Sequence, residues 1–90
     1  NMAQNLCEYV ASDDKKRMRS FLKDNKLKIR SVFKGVQCNG KNMLEFADNK
    51  GSTNVGMFII AKLPKKSVKA TMANLTNSDL QAKAADRTKA

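Results

Sequence analysis

Over the first 66 residues, large apolar side chains return every three or four positions, the period of a helix with one buried face. Leu6 and Val10 stand four apart, with Cys7 and either Met2 or Ala3 close to the same face, and predict a first short helix over Met2–Ala11. Ser12, Asp13 and Asp14 predict the next helix start, a capping oxygen followed by two carboxylates in the electropositive first turn. That second helix is expected to run to about Asp24, with Met18, Phe21 and Leu22 inward and Asn25 as its stop.

The stretch Leu27–Gly35 fits two templates. Ile29, Val32, Phe33 and Val36 match a helical face, whereas the alternating strand pattern would bury Ser31, so a helix ending at Gly35 is the preferred reading. Asn39-Gly40 is the strongest turn signal, since both residues accept positive φ, and it places Cys38 just before a chain reversal. Asn42 is positioned to cap a fourth helix through Met43, Leu44, Phe46 and Ala47, ended by Gly51. Thr53 or Asn54 then caps a fifth, Val55–Lys62, stopped by Leu63-Pro64. Gly56 inside that helix implies a close helix–helix contact. Beyond Pro64 the texture turns polar, with Met72, Leu75 and Leu80 as the only large apolar residues in 70–90. The expectation is an all-α domain of four or five short helices over residues 1–66. Residues 67–90 are expected to form a weakly helical or disordered tail, with one weak helix from Ser78-Asp79 to Ala85.

Charge adds a second pattern. The 90 residues, enough for one domain, carry 18 Lys/Arg against 8 Asp/Glu, a net +10. Residues 13–34 concentrate nine basic side chains against three aspartates. Lys15, Lys16, Arg17, Arg19, Lys23, Lys28, Arg30 and Lys34 are therefore the candidate basic surface. Such a field attracts polyanions without choosing among them. An anionic protein or cell-envelope component is the preferred partner class. The alternative is a cytosolic nucleic-acid binder, with two short helices flanking Asn25 and with Lys28, Arg30, Ser31 and Lys34 on the second. Nucleic acid ranks behind because the chain has no Trp and one Tyr, and Phe21, Phe33, Phe46 and Phe58 all fall on predicted core faces. The densest apolar run, Met57–Ala61, is far too short to span a bilayer, so no transmembrane segment is predicted.

No catalytic centre is recognisable. The absence of His removes the commonest general base and most zinc and haem sites, and no glycine-rich phosphate loop occurs. The carboxylates show no paired spacing beyond Asp13-Asp14, which reads as helix capping. The expectation is a non-enzyme with no cofactor and no metal. Cys7 and Cys38 lie too far apart for a Cys-x-x-Cys site. Two readings stand, buried free thiols or a structural disulfide, and the small size and even count favour the bond. Closing a loop of that length stabilises a fold by roughly 3–4 kcal/mol in the chain-entropy account.

Leu6-Cys7-Glu8-Tyr9-Val10-Ala11, Asp13-Asp14-Lys15-Lys16-Arg17-Met18-Arg19, Val36-Gln37-Cys38-Asn39-Gly40 and Phe46-Ala47 together resemble a small exported domain family of unknown function from Gram-negative bacteria. Its members share an early Cys, a basic helix, a central Cys-Asn-Gly and a glycine-bearing helix before Lys-Leu-Pro. The resemblance covers about residues 5–66. It implies a helical fold, Cys7 and Cys38 as a pair, and a periplasmic or secreted protein whose signal peptide was removed upstream of Asn1. It implies no activity.

Overall fold

The structure, a computed structural model, describes residues 1–89. Seven α-helices follow one another among them: α1 (Met2–Ala11), α2 (Lys15–Asp24), α3 (Ile29–Val32), α4 (Met43–Lys50), α5 (Thr53–Lys62), α6 (Lys65–Met72) and α7 (Ser78–Thr88). A 3-10 turn, Phe33–Gly35, extends α3. The all-α class holds, but seven helices replace the four or five expected. The two additional ones come mainly from residues 65–88, and the molecule measures 34 × 23 × 22 Å.

Helix α5 is the hub. Val55, Gly56, Ile59 and Ile60 are buried, and the helix packs against α7, α4, α2, α1 and α3. The periodic residues Leu6, Val10, Met18, Leu22, Ile29 and Phe33 supply the facing surface from α1 to α3. Phe33 and Phe46 are buried as expected. Phe21 and Phe58 are only half-buried, and Met57 is 37% exposed, so the Met57–Ala61 run is not uniformly core.

The helix boundaries follow cap chemistry, with informative departures. Asn42 and Glu45 form a reciprocal capping box on α4, each side chain accepting the other residue's backbone N–H. Asp14, rather than Ser12, caps α2 by accepting from the Arg17 N–H at 3.0 Å. Ser12 instead ends α1. Asp13 follows in the left-handed conformation (φ 54°), with its N–H on Val10 O and the Asp14 N–H on Tyr9 O, a Schellman closure. Glycine usually holds that position. The Asp13 carboxylate explains the exception, because it accepts from the Val55 N–H at 2.8 Å and from Asn54 Nδ2 at 2.9 Å. It thus caps the start of α5 from 42 residues away, doing what Thr53 or Asn54 was expected to do.

The expected third helix is broken. One α turn, Ile29–Val32, passes into the 3-10 turn, and Ile29, Phe33 and Val36 are buried while Val32 is not fully covered. Cys38 and Lys41 exchange both backbone hydrogen bonds, at 2.8 and 3.0 Å, around Asn39 (φ 54°) and Gly40 (φ 76°). Those signs are what a type I′ hairpin turn requires. The tight reversal presents Cys38 to α1, where it is bonded to Cys7 with the Cα atoms 5.7 Å apart.

Residues 67–90 were the stretch expected as a polar tail. Their described part forms most of α6 and all of α7, and α7 packs on both α5 and α6. Val68, Leu75, Leu80 and Ala84 are buried. Few apolar residues suffice because polar groups hold the rest. The Asp48 carboxylate accepts from the Thr76 N–H (3.0 Å), the Thr76 hydroxyl (2.9 Å) and the Asn77 N–H (2.6 Å). Asn77 then caps α7 and donates through Nδ2 to Thr53 Oγ1 at 3.1 Å, while Asn74 donates to Glu45 at 2.9 Å.

Gly56 faces Leu80, as a close α5–α7 contact requires. A Cβ built there would lie 2.7 Å from both Leu80 methyls, and Leu80 is fully buried. Overpacking of this kind costs about 1–3 kcal/mol, while alanine returns up to about 1 kcal/mol of helix propensity. Gly56→Ala should therefore destabilise by about 1 kcal/mol in urea titration. Pairing it with Leu80→Val should recover part of that loss. A stabilised Gly56→Ala variant would show that the two helices separate freely.

Candidate functional site

Helix α2 buries Met18 and Leu22, and this burial turns Lys15, Arg19 and Lys23 outward as a stripe of i, i+4 neighbours beside Lys16. The same logic operates on α3, where buried Ile29 leaves Lys28 and Arg30 exposed on either side. On α5, Phe58 and Lys62 are one turn apart, and the Lys62 ammonium lies 5.9 Å from the Phe58 ring centroid. On α7, Lys83 and Arg87 are four apart and both half-buried. Arg87 Nη2 donates to the Leu63 carbonyl at 2.7 Å, so the guanidinium sits at the electronegative C-terminal end of α5.

These elements enclose a solvent-open groove of about 1110 Å³. Lys15, Lys16, Arg19, Lys23, Lys28, Arg30, Lys62 and Arg87 line it, and its apolar lining includes Leu27, Phe58 and Pro64. A second groove of about 440 Å³ adjoins it, sharing Lys15, Arg19, Phe58, Ala61 and Lys62 and adding Asn54, Met57 and Lys83. Nine basic side chains thus line these two adjoining grooves, and among the described residues no carboxylate lines either one.

Four of the eight acidic side chains serve the fold instead. Asp13, Asp14, Glu45 and Asp48 all accept from backbone N–H groups at helix starts or in the α6–α7 connection. These four are structural acceptors. The ion pairs among the described residues are Arg17–Asp14 at 3.5 Å and Lys89–Asp86 at 4.0 Å, and neither involves a groove residue. Surface pairs of this kind contribute at most about 1 kcal/mol. Among the described residues, then, no ion pair reaches a groove cation.

Six of the eight basic residues singled out from sequence meet in the groove: Lys15, Lys16, Arg19, Lys23, Lys28 and Arg30. Arg17 pairs with Asp14 and Lys34 stands in the 3-10 turn, and neither lines it. Lys62, Lys83 and Arg87 complete the site and were not anticipated. The spacing of Lys83 and Arg87 marked a common helical face, but only the docking of α7 on α5 brings that face to the groove. Asn39 and Gly40 serve the hairpin and lie outside the groove. No cluster of three or more Cys, Asp or Glu side chains able to hold a metal occurs among the described residues.

The molecule is thus a small, disulfide-linked, all-helical domain built around an unneutralised basic groove. It belongs to the DUF3718 family of proteins of unknown function, whose sequence pattern matches residues 6–82. That match runs past the 5–66 stretch that carried the resemblance, through α6 and into α7. No curated protein and no solved structure matches the chain.

Proposed function

We propose that this protein is a non-enzymatic, exported interaction module that binds an anionic protein or cell-envelope component of a Gram-negative bacterium along the groove between α2, α3, α5 and α7. The observation carrying this reading is that nine Lys/Arg from four separate helices and the α2–α3 connection line two adjoining grooves to which no described residue brings a carboxylate. A merely solvated basic surface has no reason to be concave or free of acids. Export is supported by the Cys7–Cys38 bond and by the resemblance to exported bacterial domains. No helix among the described residues is long and apolar enough to cross a membrane, which is compatible with an extracellular or periplasmic location. The nucleic-acid alternative would use the same Lys15–Lys34 stretch. It is disfavoured because α3 is a single turn, too short for a recognition helix.

Charge relocation tests the reading. The triple variant Lys15→Glu, Arg19→Glu, Lys62→Glu reverses three exposed groove positions. The triple variant Lys34→Glu, Lys41→Glu, Lys69→Glu changes net charge equally, at exposed positions outside it. Anisotropy with fluorescein-labelled polyglutamate at low salt should show about a tenfold or greater loss for the first and less than about threefold for the second. Equal losses would mean that net charge alone attracts the probe.

A further inference from the structure

The groove has two chemistries, and the second narrows the partner. The linings also hold apolar groups that the core leaves incompletely covered: Leu27 and Phe58, both half-buried, and Met57, 37% exposed. A polyphosphate, an anionic polysaccharide or a nucleic-acid backbone would match the rim and leave this apolar strip unmatched. A run of nucleobases would need several stacking rings. Phe58 is the single aromatic ring among the described residues lining either part. A bilayer surface is locally flat and meets concave cations poorly.

An amphipathic helix with an acidic polar face matches both chemistries at once. Its apolar stripe would lie over Met57, Phe58 and Leu27, and its carboxylates would face Lys15, Arg19 and Lys62. Methionine suits such a surface, since its thioether adapts to varied partners.

Resting on the anion-binding reading above, we propose that the groove docks an acidic amphipathic helix of a partner protein, its apolar stripe seated on Met57 and Phe58. The probes are two 16-residue synthetic peptides of identical Glu/Leu composition. One sets leucine at i, i+3, i+4 and i+7, and the other scatters it. Polyglutamate, a 16-nucleotide single strand and phosphatidylglycerol vesicles complete the set.

Anisotropy should show the amphipathic peptide binding at least about tenfold tighter than its scattered isomer. Met57→Gln, at a surface position of α5, should reduce that preference severalfold, and Phe58→Ala should remove it. Far-ultraviolet circular dichroism matching the parent's reports that both variants are folded, and each variant's preference is read against its own binding of the scattered isomer. Equal binding of the two isomers, with polyglutamate still lost in the groove triple variant, would overturn the helix proposal and leave the anion-binding reading intact. Tighter binding of the oligonucleotide or the vesicles than of the amphipathic peptide would also overturn it. Polyglutamate binding indifferent to the groove triple variant would instead overturn the reading on which it rests.

Discussion

Removing residues 67–90 is expected to abolish cooperative unfolding. The sequence pattern places the domain within residues 1–66, yet the deletion takes away Val68, Leu75 and Leu80, all buried. At about 1.5–3 kcal/mol for each large apolar side chain, the loss is about 5–9 kcal/mol. A 90-residue domain sits near the low end of the 5–15 kcal/mol range of native stabilities. The cut also strips Asp48 of the Thr76 and Asn77 donors and uncovers the Gly56 face of α5. The measurement is a urea titration followed by far-ultraviolet circular dichroism. A sigmoidal transition in the 1–66 fragment, with helicity retained, would show instead that the first five helices form an autonomous unit and that α6–α7 is an accessory layer.

Breaking the Cys7–Cys38 bond should cost about 3–4 kcal/mol, because it releases a closure spanning 31 residues in the unfolded chain. For a domain this small that corresponds to a fall in Tm of roughly 15–25 °C. The Cys7→Ala, Cys38→Ala double variant and the reduced parent should agree, since Cys38 is buried and neither change introduces a polar group there. A loss below about 1 kcal/mol would mean that packing of Val36 and Met43 holds the hairpin against α1 without the bond. Protein recovered from its host and alkylated before reduction should show no free thiol. Two modified cysteines would overturn the exported reading.

Much of the fold was legible because it rests on short-range rules. The periodicity of Leu6–Val10 and Met18–Leu22, the Asn42–Glu45 capping box, the Asn39-Gly40 reversal and the packing role of Gly56 each involve residues close in sequence, or a backbone demand that few residue types meet. The Lys15–Lys23 stripe was legible for the same reason, since a helix that buries Met18 and Leu22 must turn those lysines out.

What the sequence hid depends on partners distant in the chain. Residues 67–88 look too polar to order themselves. Asp48, 28 residues before Thr76, supplies the acceptor that orders the connection into α7. Asp13 reads as a first-turn residue of α2 and caps α5 instead, because the Schellman closure of α1 turns it away from its neighbours.

The sequence by itself determined an all-helical, strongly basic chain, with a turn that aims Cys38 and a cationic second helix. Only the tertiary structure decided that α6 and α7 complete the core, that Asp13, Asp14, Glu45 and Asp48 are committed to backbone N–H groups, and that Lys62, Lys83 and Arg87 join α2 and α3 around the groove. The physical reason is that helix period and capping are set within a few residues. A charged groove is set instead by which helix faces remain uncovered after packing, and by where the opposite charges have been drawn away.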